Sequence, residues 1–502
     1  MAVGDEEGYV RLLDSAKDFN KIHLSFHVHS NAIIDLAFSE DDYLLATASG
    51  DQKGKVVDML TQTPISVMSH HSASLKQVRF QPGRGSSSVL ATSSRDGSIQ
   101  IWDLRCRSGA PPVQEILDRP AGLAYQVPRT INSGCIVNSF FRAHGHPHQH
   151  RYQTRQSLNL QLTSVPSSAD IGSRGEAPGR VGEVSVTAIQ FLPPGQEHLL
   201  LSASEADATV KLWDIRSIQP GGHKFHRPVP TPVSYTRQPD SHLAFRPFGI
   251  SALALSGDGG RLYSLCKDNT IYAYSTAHLI LGHAPELSRQ AASEPPRRAK
   301  QPVAGTAGGG LGPLYGFRHP SFHATTFYVK AAIRPARDGR PEMLAVGSSD
   351  GTPVVFPTDE RYFRRDLGAG GLTAPPNGLD ERRRGPAAAS PGVAVAGGAA
   401  PRRPGTLTRT DSVTGLRLSD TVPVYKPYGT ALARGHDKEV GALAWTHDGK
   451  LVTVGDDFSV RRWSEDGGVA ADLRRGGEVN GRRWRCGWAD VGESWEGDDD
   501  DW

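Results

Sequence analysis

Two stretches of this chain carry the same phrase: "SSRDGSIQIWDLRC" (93–106) and "SEADATVKLWDIRS" (204–217). Each has an Asp, a short β-rich run, Trp-Asp, an aliphatic residue and then Arg. Self-similarity of this kind marks a repeated supersecondary unit, and a repeat decides the fold before any single residue does. The unit here is an alternating first strand, a second strand rich in Leu, Ala, Thr and Ser, a tight turn containing Asp, and a third strand ending in an aromatic residue.

The unit occurs seven times. Its second-to-third-strand hairpins span 1–14, 44–58, 89–103, 199–214, 261–275, 343–357 and 451–465. First strands precede six of them, at 32–39, 74–81, 185–192, 249–256, 326–335 and 439–446. Each alternates with period two, as a half-buried strand requires. Asp-Gly and Asp-Asn at the turns tolerate positive φ, which a tight hairpin demands. A small sheet that cannot cover both its faces is stabilised by stacking on the next, and seven such sheets close into a ring without long exposed edges. The pattern resembles the WD-repeat β-propeller, so the predicted fold is all-β, a seven-bladed propeller.

The first hairpin opens at Met1 with no first strand before it, so the first blade reads as N-terminally truncated, or as completed by a strand from an insertion. The second hairpin ends "KVVD", placing Val57 where Trp is usual and predicting looser packing of that blade. Four segments, about 107–182, 217–247, 276–314 and 358–427, are too long for ordinary connections and are predicted to be long disordered insertions between blades. The last has a low-complexity Ala, Gly, Pro and Arg centre. The domain reading is therefore a propeller over 1–465, then an outer strand in "GGVAADLRR" and an acidic tail, "GESWEGDDDDW", within 466–502.

Lys plus Arg number 56 against 53 Asp plus Glu, a net charge of +3, which is too near balance to predict direct nucleic-acid or membrane binding. Cys106, Cys135, Cys266 and Cys486 are far apart and form no CxxC, so neither a zinc site nor a disulfide framework is suggested. No run approaches the apolar length needed to span a bilayer, and the N-terminus is acidic where a signal peptide would be basic and then apolar. An intracellular, soluble protein is expected.

The chemistry-bearing motifs are few. "AHGHPHQH" sets His144, His146, His148 and His150 at two-residue spacing, but structural metal sites draw ligands from separated segments, so a solvated loop is the preferred reading. "GTAGGGLG" (305–312) lacks the Lys-Ser or Lys-Thr of a phosphate loop and reads as a linker. The basic runs "PRRAK" (296–300) and "ERRRG" (381–385) read as exposed linker faces. No G-x-S-x-G elbow or HExxH frame occurs. A non-catalytic protein with no metal or other cofactor is expected. The turn aspartates Asp96 and Asp207 are read as structural, tying turn to strand through backbone N–H groups, and Trp102 and Trp213 as large side chains buried between sheets.

Those roles leave Arg105 and Arg216 unexplained. A blade does not require Arg two residues after Trp-Asp, and two such forks on adjacent blades make a docking edge of the residue type enriched at interface anchors. The arrangement resembles the Trp-Asp-x-Arg box by which propeller substrate receptors bind the damage-DNA-binding adaptor of cullin-RING ubiquitin ligases of the cullin-four class. That resemblance puts Asp96, Trp102, Asp103 and Arg105 in one box and Asp207, Trp213, Asp214 and Arg216 in the other, with the Trp, Asp and Arg residues contacting the adaptor.

"AVGDEEGYVRLLD", "KDNTIYAYS", "TFYVKAAIRP" and the closing "DDFSVRRW" carry the likeness further. In this order they resemble the denticleless-type receptors, called Cdt2 in fungi. The resemblance implies the substrate-recognition subunit of a nuclear ubiquitin ligase. Such a subunit bridges the adaptor to replication and cell-cycle proteins bound to the sliding clamp, so that these are ubiquitinated and degraded. A degron of this family carries a basic residue, which implies acidic loop residues on the reading face. No Gln-x-x-aliphatic-x-x-aromatic-aromatic clamp-binding motif is present. The alternative is a WD-repeat scaffold in another nuclear complex, of chromatin or RNA processing, in which the two arginines are incidental rim charges.

Overall fold

The computed structural model describes residues 1–14, 22–83, 88–106, 114–118, 127–131, 133–145, 184–217, 230–239, 241–242, 247–282, 312–337, 339–363, 422–426, 428–432, 436–465 and 488–490. Two units are present: Met1–Asp359 with Val422–Trp502, and Glu360–Thr421. In the second, the described residues form one short helix, Glu360–Phe363.

The first unit is a seven-bladed β-propeller. Blades 2 to 7 have inner strands Ile33–Phe38, Leu75–Phe80, Val186–Phe191, Ile250–Leu255, Ala331–Arg334 and Val440–Trp445. From each inner strand a blade runs outward as an antiparallel meander of four strands. Consecutive inner strands lie side by side about the central channel. They are laced by bonds between blades. The Val78 amide donates to Asp35 at 3.0 Å, the Ile189 amide to Gln77 Oε1 at 2.7 Å, and Trp445 Nε1 to the Ala332 carbonyl at 3.1 Å.

Blade 1 has three strands, Ala2–Gly4, Tyr9–Leu13 and Ile22–His27, and no described residue adds a fourth. Its Val10 and Val28 pack against Leu45 and Val57 of blade 2, and Val57 is fully buried. The smaller side chain at this position thus still fills the seam between sheets.

The predicted insertions hold more regular structure than their composition suggests. The outer strand of blade 3, Cys135–Phe140, lies inside 107–182, and that of blade 4, Ser234–Tyr235, inside 217–247. Residues 276–314 open with a helix, Thr276–Leu281, capped by the Ser275 hydroxyl. Near the end of 358–427, Val424–Tyr425 joins blade 5 as a fifth, parallel strand, and Thr430–Ala431 then closes blade 6. The two-residue strands Ser234–Tyr235, Val424–Tyr425 and Thr430–Ala431 carry too short an alternation to be read as strands, which is why they pass for loops. The low-complexity centre, both basic runs and the acidic tail lie outside the described residues.

The outer strand of blade 7 is Trp488–Asp490, paired with Val460–Glu465. "GGVAADLRR", proposed from the sequence for that role, lies outside the described residues. Proximity in sequence favoured it, but an antiparallel edge can be filled from any distance along the chain.

Candidate functional site

Every blade runs in the same sense, so the third strands of adjacent blades leave the ring on the same face. On that face the two repeated phrases make the same structure twice. Asp103 ends the third strand of blade 3, and the chain turns at once. The Arg105 amide donates to Asp103 Oδ1 at 2.9 Å, and its guanidinium folds back so that Nε reaches Oδ1 at 3.0 Å and Nη2 reaches Oδ2 at 2.7 Å. In blade 4 the Arg216 amide and Nε each reach Asp214 Oδ1 at 3.0 Å, and Nη2 reaches Oδ2 at 2.8 Å. Both arginine side chains are 66% exposed, whereas Asp103 and Asp214 are 11% and 24% exposed.

The side-chain bond from Arg105 is the main influence holding the Asp103 carboxyl below its ordinary range, against a smaller opposing effect of burial. Arg216 does the same for Asp214. Each pair is a bidentate fork held planar, with one edge of the guanidinium spent on its own Asp and the other turned outward. Blade 2 has the same turn without the Arg. Asp58 Oδ1 accepts from the amide of Leu60, which is 74% exposed.

The two boxes are braced against each other. Asn138, on the outer strand of blade 3, donates through Nδ2 to the carbonyls of Ile215 at 2.9 Å and Ser217 at 2.8 Å, on either side of Arg216. Trp102 and Trp213 lie beneath the rim, both essentially buried, Trp102 against Ala46, Val56 and Met68 of blade 2 and Trp213 against Ala91, Ile101 and Phe140 of blade 3.

The indole nitrogens lead into a relay that the sequence reading missed. In blade 3, Trp102 Nε1 donates to Thr92 Oγ1 at 2.8 Å. Thr92 Oγ1 lies 2.8 Å from His71 Nε2, and His71 Nδ1 lies 3.2 Å from Asp96 Oδ2. Asp96 also accepts from the amides of Ser98 and Ser72 at 2.9 Å each. Burial works to raise its carboxyl, but the bonds from His71, Ser98 and Ser72 outweigh that and hold it well below the usual range.

Blade 4 repeats the relay from Trp213 through Ser202 to His144, whose Nδ1 is 3.6 Å from Asp207. Blade 7 repeats it from Trp463 through Thr453 to His436 and Asp457. In blade 2, His29 bonds Asp51 and Thr47, and Lys55 reaches the Val28 carbonyl at 2.6 Å.

His144 is therefore a buried structural residue, which corrects the reading of "AHGHPHQH" as a solvated loop at that position; His146, His148 and His150 lie outside the described residues. Among the described residues no cluster of His, Cys, Asp and Glu is arranged to hold a metal ion, and Cys106, Cys135 and Cys266 carry free thiols. A signal for the relay was present. His29, His71 and His436 each stand four residues ahead of an inner strand.

The comparison with known proteins agrees with this architecture. The WD domain, G-beta repeat family matches residues 20–58, 62–103, 179–214 and 427–464. Denticleless protein homolog A of Xenopus laevis is 28% identical over 358 residues, covering 71% of this chain and 39% of its own. Cell division cycle protein cdt2 of Schizosaccharomyces pombe is 26% identical over 493 residues, covering 94% of this chain and 68% of its own. This chain carries WD repeats and is similar to the denticleless and Cdt2 proteins. The human denticleless protein homolog is 30% identical over 281 residues, 56% of this chain and 32% of its own. The chain thus spans well under half the length of these denticleless relatives and two thirds of the cdt2 protein. The Trp-Asp of each box closes a matched WD repeat, and Arg105 and Arg216 lie two residues beyond the matches.

Proposed function

We propose that this protein is the substrate-recognition subunit of a cullin-RING ubiquitin ligase, working in the nucleus, and that the rim bearing Arg105 and Arg216 docks on the ligase's damage-DNA-binding adaptor. The observation that carries this reading is the duplicated fork: the same two exposed guanidinium groups, held in the same bidentate geometry on adjacent blades. The denticleless and Cdt2 likeness supports it independently. A fork already fixed by Asp103 or Asp214 loses little side-chain entropy on docking, and its charge is already compensated, which lowers the cost of taking it out of water. Such a protein performs no bond chemistry itself. It holds a lysine-bearing substrate, here a clamp-bound replication or cell-cycle protein, near the activated ubiquitin, a proximity effect.

The opposite face would read the substrate. There the loops of blade 7 bring Asp437, Glu439 and Asp456 together with Phe458, which is 91% exposed; the Asp456 amide donates to the Glu439 carbonyl at 2.9 Å. These are the acidic loop residues suited to the basic residue of a degron.

The test is capture of the purified adaptor by wild type and by the Arg105→Ala, Arg216→Ala double variant. Interface arginines of this kind contribute about 2 kcal/mol or more each, about thirtyfold in affinity, so the double variant should lose roughly several hundredfold while circular dichroism and melting stay as in wild type. Equal capture by the double variant would leave the arginines as rim charges of a scaffold in some other nuclear complex.

A further inference from the structure

The turn that presents Arg105 and Arg216 occurs a third time, with a leucine in the arginine's place. Asp58, Asp103 and Asp214 end the third strands of blades 2, 3 and 4, and the residues two places on are Leu60, Arg105 and Arg216. In blades 5 to 7 the corresponding residues are Ser275, Pro357 and Ser464, so among blades 2 to 7 the Asp-closed turn belongs to three consecutive blades. All three turns lie on the face of the forks.

Blade 2 builds its turn as firmly as the other two. The Leu60 amide donates to Asp58 Oδ1 at 2.9 Å and the Thr61 hydroxyl to Oδ2 at 3.1 Å. Gln62 Nε2 donates to the carbonyls of Met59 at 2.7 Å and Leu60 at 3.1 Å. The Leu60 backbone is thus bonded on both sides, yet its side chain stands out into solvent, the most exposed large aliphatic one among the described residues. The Met59 amide also donates to the Tyr43 carbonyl at 2.9 Å, which ties this turn to that of the first two strands, and Tyr43 is 58% exposed. Leu44 and Leu104, both half-buried, pack in the cluster around Trp102 that seals blade 2 to blade 3. Leu104 adjoins Arg105, so an apolar strip leads from Leu60 and Tyr43 through Leu44 and Leu104 to the first fork.

Single exposed apolar side chains are ordinary on any protein surface. Here the residue sits on a fixed turn, in register with two arginine forks and joined to one of them by apolar surface. We infer that Leu60 and Tyr43 are the apolar end of the docking face and fill an apolar pocket of the ligase adaptor, beside the acidic groups that meet Arg105 and Arg216. This rests on the adaptor reading and extends it to a third blade. A stable interface takes about 800 Å² from each partner, more than two arginine side chains cover, so the face must include neighbouring turns. The turn of blade 2 is the neighbour built in the same form.

The charge pattern gives the partner's surface a direction. Asp41 accepts from the Tyr43 amide at 3.2 Å, and Asp42 beside it is exposed, so the blade 2 end is acidic where the forks are basic. A matching surface runs from acidic groups opposite the forks to an apolar pocket with a basic border opposite Leu60, which allows one orientation and opposes the reverse. Because the Leu60 turn is already ordered, docking costs it little backbone freedom.

The test is binding of the full chain to purified, immobilised adaptor at low and high salt. Leu60→Ala and Tyr43→Ala should each weaken binding by about tenfold or more, and Leu60→Met, which keeps the apolar bulk, should stay within about fivefold of wild type. Leu60→Arg would give Asp58 a third fork, and it should weaken binding at least as much as Leu60→Ala. The Leu60→Ala loss should be equal at low and high salt, whereas that of the Arg105→Ala, Arg216→Ala variant should shrink as salt screens it. The Leu60 variants should melt as wild type does, since the side chain they change faces water. Wild-type affinity in Leu60→Ala and Tyr43→Ala, with loss confined to the arginine variant, overturns this extension and leaves the adaptor reading standing. Tighter binding by Leu60→Arg, or a Leu60→Ala loss that disappears at high salt, also overturns it, because blade 2 would then act through charge. Failure of the wild type to capture adaptor ends both readings.

Discussion

The Trp–Thr–His–Asp relay shows how one hydroxyl can fix a blade. In blade 7 the Thr453 hydroxyl takes the Trp463 indole N–H at 3.1 Å and meets His436 Nε2 at 2.7 Å, while His436 Nδ1 lies 3.0 Å from Asp457. All three inner members are buried, so a missing partner is not replaced by water. Thr453→Val keeps the volume and removes the hydroxyl, leaving two buried groups unpaired. It should cost about 1–3 kcal/mol, measured by denaturant unfolding. For Asp457, burial works to raise the carboxyl, but bonds from His436 and Ser459 and the Asp437 amide bring it down to about 2. An Asp depressed on folding contributes stability that is present above its unfolded value, about 3.9, and is lost as pH falls toward 2. Asp457→Asn should therefore melt below wild type at pH 7, and the gap should narrow between about pH 4 and pH 2. A gap independent of pH would assign the loss to shape rather than charge.

At the scale of elements, Asn138 makes the outer strand of blade 3 a brace for the turn that carries Arg216. Asn138→Ala leaves the Ile215 and Ser217 carbonyls without these donors and should cost about 1–2 kcal/mol in denaturant unfolding. It should also speed amide exchange at 215–217 while leaving 104–106 as in wild type. Uniform acceleration across both turns would mean that the outer strand steadies the blade as a whole. This brace could not be read from the sequence, because Asn138 lies in an insertion with no repeat to align it. The inner three strands of blades 2 to 7 were legible, since period-two alternation and a turn between the second and third strands recur at fixed offsets. The outer strands were not: those of blades 4, 6 and 7 are only two or three residues long, and the six-residue Cys135–Phe140 of blade 3 lies in an insertion at no fixed offset from its hairpin. The forks were legible as residues, Arg two positions after Asp, but their geometry was not. Sequence alone suggested two guanidinium forks on a docking edge, and the structure adds that each folds back on its own carboxylate.

On the scale of the whole molecule, each blade packs on the next along the chain, so stability is set by intrinsic blade terms plus the seams between them. Blades 6 and 7 share a seam of Met343, Ala345, Val355 and Leu432 with Leu451 and Trp463. The strand bearing Trp463 takes its outer partner from Trp488–Asp490, in the register Trp463 with Asp490, Ser464 with Ala489 and Glu465 with Trp488. A chain ending at Glu465 would lose that partner and present Val460–Glu465 as a bare edge, with a row of unpaired backbone groups. The loss should be about 1–3 kcal/mol, since only three residues are paired, and blade 7 should become the first part of the ring to open. Amide exchange resolved by blade is the measurement: faster exchange over 440–465 with blades 3 and 4 unchanged, together with a lower melting temperature. Because Trp445 Nε1 bonds the Ala332 carbonyl across the inner strands, blade 6 should follow blade 7 before blade 5 does. Equal acceleration in every blade would instead mean that the ring opens as one cooperative unit, and an unchanged melting temperature would mean that the distant strand contributes nothing to the seam.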